Sequence, residues 1–179
     1  MARRRVLRVL TLVLVFMALG ALAVIRLAPD DPADWHIDPS AIALRGTPNE
    51  ILAAPPGVAS ARPHIALASV AAPPEVVLGR LAEVLAARPR TRLLAGTPAQ
   101  GMMTWVERSA LVGFPDYVTA KVLPVREGTA LVLWSRSRWG YGDFGVNRAR
   151  VEALLDSLGV SREVPSPIPA QTPGQPSAR

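Results

Sequence analysis

The feature that most constrains this chain is an uncharged apolar run of 17 residues, 9–25, close to its N-terminus. As an α-helix the run would extend about 25 Å, which is the short end of a membrane crossing. Four arginines precede the run, one follows it, and no acidic residue occurs before Asp30. This excess of arginine predicts that the N-terminus stays in the cytoplasm while the rest of the chain is exported. We therefore predict that residues 1–27 form a signal anchor or a signal peptide.

Two interpretations of this segment remain open. Ala21-Leu22-Ala23 is a small-x-small triplet that a signal peptidase could recognise. The apolar run continues beyond it through Val24 and Ile25, which favours an uncleaved anchor. We thus predict a single-pass protein of the bacterial cytoplasmic membrane, held by residues 9–25, with its domain in the periplasm. The alternative is secretion to the periplasm after cleavage.

Composition excludes several classes of function. The formal charge is +6, but residues 27–179 carry 15 basic and 14 acidic groups, so we predict no nucleic-acid partner. The chain has no cysteine, which excludes disulfides, thiolate zinc sites, iron–sulfur clusters and a cysteine nucleophile. It has only two histidines, so we predict no metal site and no cofactor.

Proline divides the remainder of the chain. Residues 28–63 hold seven of the 18 prolines and are predicted to be an extended, Pro-rich stalk. Its apolar residues indicate that part of it wraps onto the domain surface. Residues 161–179 are predicted to be a disordered Pro-rich tail. The globular domain is therefore expected over residues 64–160.

Within that domain the hydrophobic periodicity alternates between strand and helix. It predicts strands over residues 64–70, 90–95, 102–108, 117–125 and 129–138, and helices between Pro73 and Pro89 and over 143–158. The order is β-α-β-β-β-β-α. Short connections between consecutive strands favour an antiparallel sheet. We predict an α+β fold, with about five strands and both helices packed on one face of the sheet.

A glycine-rich corner joins the last predicted strand to the last helix. Gly140, Gly142 and Gly145 match G-x-G-x-x-G, the start of a dinucleotide-binding fingerprint. No further strand is predicted after the helix, so the parallel pairing of that fold is missing. The favoured interpretation is structural: the glycines allow a tight corner, and the Asp143 carboxylate caps the helix.

Polar residues beside this corner are the candidate ligand-binding residues. Arg136 and Arg138 share one face of the last strand. On the last helix Asn147 lies inside the apolar stripe that begins at Phe144, and Arg148 lies at its edge. These four polar residues would bind a small anionic or amphipathic molecule together with the free amides at the helix N-terminus. The alternative is a structural network with nearby acids.

Two further patterns allow more than one interpretation. Seven aromatic residues occur between residues 105 and 144, and they would line a pocket or fill the core. Ser109, His64 and Asp116 have the residue types of a catalytic triad, but no nucleophile-elbow pattern surrounds the serine. No catalytic residue is therefore assigned.

The stretch around the corner resembles a known family. Its most specific part is Ser135-x-Ser-Arg-x-Gly-x-x-Asp-x-Gly-x-Asn-x-x-Arg150, preceded by Glu107-Arg-Ser and Gly113-Phe-x-Asp116. These residues resemble the bacterial domain of unknown function numbered 1499, over about residues 47–158. Thr47-Pro-Asn-Glu50 is similar to the Pro-Asn element of that family without its flanking cysteines. The resemblance implies the domain limits and an exported location, and it supplies no reaction.

The leading prediction is a non-enzymatic, membrane-anchored envelope module that binds a small amphipathic or anionic ligand between the sheet and the last helix. One alternative is a protein-interaction module that docks another envelope protein. The other alternative is a hydrolase.

Overall fold

The computed structural model describes residues 2–163 of the chain. The first element, α1, is a helix over Ala2–Leu27, and none of its residues is buried. Its 26 residues extend about 39 Å. It is the one helix of the described residues that is long and apolar enough to cross a membrane. A signal sequence has the same length and composition, so the helix alone is weak evidence of a permanent anchor.

The domain is built on a single sheet of six strands in the order β2-β1-β6-β5-β4-β3. The strands are β1 Glu50–Ala54, β2 Ile65–Ala66, β3 Thr91–Thr97, β4 Met102–Arg108, β5 Pro115–Val125 and β6 Gly128–Ser137. All neighbouring pairs are antiparallel except β1 and β2, which are parallel. The α+β prediction is confirmed, with six strands in place of about five.

The strand that the sequence did not reveal is β1, which lies inside the segment predicted to be a stalk. All five of its residues are buried. A strand covered on both faces has no alternation of polar and apolar residues, so the periodicity did not reveal it. The strand predicted over residues 64–70 is short for a different reason: after Ala66 the chain makes only isolated bridges, from Leu67 to Arg162 and from Val70 to Thr129.

The β5–β6 hairpin turns at Arg126-Glu127, and Gly128 is the first residue of β6. Gly128 has φ +113°, and a Cβ there would lie 2.2 Å from the carbonyl oxygen of Val70. Only glycine allows this close approach between the hairpin and the segment before the helix over Pro74–Ala86.

The two helices of the domain, α3 over Pro74–Ala86 and α4 over Val146–Leu158, pack on one face of the sheet, as predicted. A short 3-10 turn, Pro98–Gln100, joins β3 to β4. The main core fills the space between the helices and the sheet, and its helical members are Val77, Leu78, Leu81, Leu85, Val151, Leu154 and Leu155.

The opposite face of the sheet is covered by residues 28–63, here called the covering segment. It contains the four-residue helix α2, Pro32–Trp35, and it also supplies β1. Its apolar side chains pack on buried sheet residues in a second, smaller cluster, formed by Leu52, Ala54, Val132 and Trp134 with Ile42, Leu44, Val58, Ala59 and Ala61. The molecule therefore has three layers: helices, sheet and covering segment.

The end of the described chain returns to the edge of the sheet. Ala68 donates its amide to Ser161, and Glu163 donates its amide to Ala66. The rest of the predicted disordered tail, residues 164–179, lies outside the described residues.

Candidate functional site

The loop between β6 and α4 is held by backbone conformation and by one carboxylate. Gly140 and Gly145 both have positive φ. Asp143 accepts hydrogen bonds from the amides of Gly145, at 3.0 Å, and Asn147, at 2.7 Å. Asp143 thus satisfies free amides at the start of the helix, but it does so from two residues before the N-cap position, which Gly145 occupies. The helix itself begins at Val146, three residues later than predicted, because left-handed residues precede it.

Asn147 lies at the centre of a buried hydrogen-bond network. Its amide nitrogen is within 3.0 Å of three acceptors: the Asn49 carbonyl oxygen, Ser137 Oγ and Asp143 Oδ2. Its side-chain oxygen accepts a bond of 2.6 Å from Ser135 Oγ. The residue is fully buried, as expected for its place in the apolar stripe of α4. The network joins β1, β6 and α4.

Arg150 extends this network to two carboxylates. Its side chain is 4% exposed, and it donates to Asn147 Oδ1 at 2.7 Å and to Asp116 Oδ2 at 2.8 Å. Its Nε atom lies 3.3 Å from Glu107 Oε2. Glu107 also accepts from Arg88 at 2.9 Å. Burial alone would raise the pKa of Glu107, but these two arginines outweigh burial and lower it.

Arg150 was not predicted as a site residue, although it stood in the family motif. Its spacing was the available signal: three residues after Asn147, it shares the buried face of α4. A buried arginine at that position requires acidic partners. Which acids would meet it depends on strand pairing, and the sequence did not show that.

A cavity of about 420 Å³ lies beside this network, at the end of the sheet where β4 and β6 finish. We call it the rim pocket. It is lined by Ser109, Phe114, Pro115, Asp116, Ser137, Trp139, Gly140, Gly142, Asp143, Phe144 and Val146. Most of the lining surface is apolar, and the charged side chains on it are the carboxylates of Asp116 and Asp143. The volume falls within the range of about 300–1,000 Å³ typical of small-molecule pockets.

Exposed aromatic rings border this cavity. Phe114 and Trp139 meet edge to face, with ring centroids 6.1 Å apart, and both are more than a third exposed. Phe144 is fully exposed with φ +55°. The prediction that Phe144 begins the apolar stripe of α4 is wrong, because the helix starts after it and its ring points away from the core.

The other aromatic residues of this region are not in the rim pocket. Trp105, Tyr117 and Trp134 are buried in the layers of the domain. Tyr117 stacks on Trp35 of the covering segment, with ring centroids 3.8 Å apart. The aromatic residues therefore divide into three core residues, three pocket residues and Tyr141, which is exposed and belongs to neither group.

The structure does not bring the four predicted ligand-binding residues together. Arg136 and Arg138 lie on the face of the sheet opposite α4, beneath the covering segment. Arg136 is 2% exposed, donates to the Trp35 carbonyl oxygen at 2.6 Å and lies 3.6 Å from the Trp134 ring centroid. Burial lowers its pKa to about 9. Because its guanidinium donates to the covering segment and is buried beneath it, Arg136 has a structural role in this packing.

Arg138 lies at the margin of the covering segment, and Arg148 lies elsewhere. Arg138 donates to the Pro29 carbonyl oxygen at 2.7 Å and to the Tyr117 hydroxyl at 3.3 Å. Arg148 is exposed on α4, 3.5 Å from Glu152. It borders two open cavities, of about 700 and 470 Å³, and the smaller one shares Gly142, Asp143 and Phe144 with the rim pocket. A single site that uses these arginines with Asn147 is therefore not formed, and their ligand binding stays a prediction.

The residues of the triad hypothesis are also separated. Ser109 and Asp116 both line the rim pocket, but His64 precedes β2, and β1, β6 and β5 lie between β2 and β4. The His64 Nδ1 atom accepts the Leu52 amide at 3.0 Å. Ser109 Oγ accepts the amides of Gly113 and Phe114, at 3.1 and 3.0 Å, which shapes the loop at the pocket entrance.

The other histidine and the acidic residues offer no metal site within residues 2–163. His36 Nδ1 lies 2.9 Å from Thr104 Oγ1. No group of three or more metal-ligating side chains occurs in this part of the chain.

The comparisons with known proteins agree with the motif. The family described as "Protein of unknown function (DUF1499)" matches residues 46–158, more than half of the chain, which confirms the predicted resemblance. The chain is also similar to a crystal structure of protein MLL2253 from Mesorhizobium loti, with 13% sequence identity and a TM-score of 0.41. That likeness covers 52% of this chain and 91% of the other. No curated protein matches the chain significantly.

Proposed function

This chain belongs to the DUF1499 family of proteins of unknown function, and we propose that it is a membrane-tethered module that binds an amphipathic small molecule in the rim pocket. The observation that carries the proposal is the pocket itself, an apolar cavity of about 420 Å³ placed against the motif residues. In this proposal α1 is an uncleaved anchor that keeps the domain on the periplasmic side of the bacterial cytoplasmic membrane, as the N-terminal arginines favour.

The lining favours one kind of ligand. An alkyl or other apolar portion would lie against Phe114, Pro115 and Val146, where it would be removed from water. The polar end would face Asp116 and Asp143, the two carboxylates of the lining. Because both are carboxylates, an amine or hydroxyl head group, which can donate hydrogen bonds, fits better than an anion. The two carboxylates therefore narrow the proposed ligand class to amphipathic molecules whose head group donates hydrogen bonds.

The rigidity of the network supports binding over catalysis. Arg150 holds Asp116 on one side, and Asp143 is occupied by the amides of the helix start. Residues locked in this way preorganise a pocket, which lowers the entropy cost of binding. The pocket has no hydroxyl next to a histidine that could activate it, because His64 precedes the edge strand β2 and Ser109 follows β4.

A photolabelling experiment tests the proposal. The full chain in nanodiscs is exposed to diazirine derivatives of dodecylamine and dodecanoate, and the labelled peptides are located by mass spectrometry. The amine probe should label residues 109–116 and 137–146 more strongly than the carboxylate probe. Val146→Trp, which fills the pocket with an indole ring, should reduce this labelling several-fold.

The matched control is Val76→Trp, the same change at an exposed first-turn position of α3, away from the rim pocket. It should label like the wild-type protein. If the amine probe labels residues 109–116 and 137–146 equally in Val146→Trp and Val76→Trp, the pocket does not bind the probe and the proposal is wrong.

A further inference from the structure

Two loops border the rim pocket, residues 109–114 after β4 and residues 139–144 after β6, and both carry much exposed apolar surface. Leu111 is 86% exposed and Tyr141 is 76% exposed, and Phe144 is fully exposed. Leu111 and Tyr141 do not line the pocket, so ligand binding there does not account for them. An exposed apolar group of this kind marks a surface that meets a partner.

The loop that carries Leu111 is fastened to the end of α1. Arg26 donates to the carbonyl oxygens of Leu111, at 2.9 Å, and Val112, at 3.2 Å. In the other direction, Arg108 donates to the carbonyl oxygens of Ile25, at 3.3 Å, and Gly113, at 3.1 Å. These bonds fix the height of this loop relative to the last turn of the helix.

The second loop approaches the same end of α1. Trp139 and Arg138 border an apolar cavity whose other side is formed by α1 and the residues after it, among them Val24 and Leu27. The apolar run of α1 ends at Ile25. If α1 spans a bilayer, both loops therefore lie where the hydrocarbon region gives way to the head groups.

The residue types suit that depth. Tryptophan and tyrosine favour the membrane–water interface, where the ring is partly apolar and the polar atom is wet. Arginines at the same level, Arg26 and Arg138, can pair with lipid phosphates. We propose that the loops over residues 109–114 and 139–144 insert into the interface of the bilayer that α1 spans.

Occupation of the bilayer surface by these loops would place the mouth of the rim pocket against the membrane. The inference depends on α1 lying in a bilayer, and it does not require that the pocket bind a ligand. It is therefore tested at Leu111 and Tyr141, which are outside the pocket lining.

The absence of cysteine makes site-directed spin labelling direct. Four single-cysteine variants of the full chain in nanodiscs are labelled: Leu111→Cys, Tyr141→Cys, Val15→Cys and Val125→Cys. Val15 is in the middle of the apolar run of α1. Val125 is the matched control: it is exposed and apolar, and it lies at the far end of β5, about 33 Å from Pro115. Collision of each label with oxygen and with a water-soluble nickel chelate reports its depth.

The labels at Leu111 and Tyr141 should be several-fold less accessible to nickel than the label at Val125, and their depth should be close to the head groups. The label at Val15 should be deeper still. Equal nickel access at Leu111, Tyr141 and Val125 would overturn the proposal, and so would a label at Val15 that is open to nickel, because α1 would then not be in the bilayer.

Discussion

Asn147 is the residue at which three parts of the domain meet. Its side chain bonds to Asn49 of the covering segment, to Ser135 and Ser137 of β6, and to Arg150 of its own helix. All of these bonds are buried, so they cannot be replaced by water when one partner is removed. A buried polar group that loses its partner costs about 1–3 kcal/mol.

Asn147→Ala should therefore destabilise the domain strongly. The change leaves Ser135, Arg150 and the Asn49 carbonyl each short of a partner, so we expect a loss of about 2–5 kcal/mol in the free energy of unfolding. Urea unfolding of the full chain in nanodiscs, followed by tryptophan fluorescence, measures it. The control is Arg148→Ala, an exposed neighbour on the same helix, which should change stability by less than about 0.5 kcal/mol. Equal losses in the two variants would show that the network contributes little.

At the scale of elements, β1 depends on the histidine that precedes β2. Leu52 donates its amide to His64 Nδ1 at 3.0 Å, and His64 donates its own amide to the Leu52 carbonyl at 2.8 Å. The first bond requires the Nδ1 lone pair, which protonation removes. Burial lowers the pKa of His64 below its usual 6.5; the charge of Glu50 opposes this effect, and the charge of Arg148 adds to it.

This arrangement predicts a pH dependence with a defined sign. Below pH 6.5 an unfolded His64 binds a proton that the folded residue does not, so stability falls as the pH decreases from 6.5 towards the folded pKa. In NMR titrations the His64 ring protons should have a midpoint below 6.5, and the Leu52 amide should shift with the same midpoint. The Val118 amide, in the middle of the sheet, is the control and should not follow it. A His64 midpoint at or above 6.5 would contradict the prediction.

The elements that the sequence predicted carry a local signal, which is either apolar residues at helical spacing or β-forming residues bounded by turns. In α3, Val77, Leu78, Leu81 and Leu85 repeat at helical spacing and are all buried. The strands β4, β5 and β6 were recognised from β-forming composition and turn signals, as well as from alternation. By contrast, β1 reads Glu-Ile-Leu-Ala-Ala, which holds a single β-branched residue and no aromatic residue, and it lies within the proline-rich residues 28–63, so nothing local marked it as a strand.

The candidate site was predicted only in part, for a related reason. Asn147 was recognised because a polar residue inside an apolar stripe stands out in the local sequence. The partners of Arg150, which are Asp116 and Glu107, come from β5 and β4 and depend on long-range pairing. Alternation placed Arg136 and Arg138 on a common face correctly, but it did not show that the covering segment would cover that face.

At the scale of the whole molecule, the covering segment connects the membrane helix to the sheet. Asp30, three residues after α1, accepts hydrogen bonds from Tyr117 at 2.7 Å, Arg108 at 2.7 Å and Arg92 at 2.5 Å. These partners come from β5, β4 and β3. The Asp30 side chain is 2% exposed, so one carboxylate ties the exit of α1 to three strands.

The protonation state of Asp30 therefore affects how firmly the exit of α1 is attached to the sheet. Burial by itself would raise its pKa, but the hydrogen bonds from Tyr117, Arg108 and Arg92 outweigh burial and lower the pKa below 3.8. Burial, together with the hydrogen bond to Asp30, raises the pKa of Tyr117 to about 12. A carboxylate with a depressed pKa stabilises the folded state above its unfolded pKa, and this contribution is lost as the pH falls through the folded value.

Asp30→Asn should reproduce this loss at neutral pH. The amide keeps an acceptor for Tyr117 but removes the charge that Arg92 and Arg108 require, so we expect a stability lower by about 1–3 kcal/mol. As the pH falls below 3.8, the variant should lose less stability than the wild-type protein, because the contribution of the Asp30 carboxylate is already absent. The acid dependence that remains comes mainly from Asp38 and Glu107, whose pKa values are also lowered. Asp34→Asn, an exposed change four residues later, is the control and should match the wild-type protein throughout. If urea unfolding across this pH range gives the same curve for Asp30→Asn and Asp34→Asn, the covering segment is not held to the sheet through Asp30.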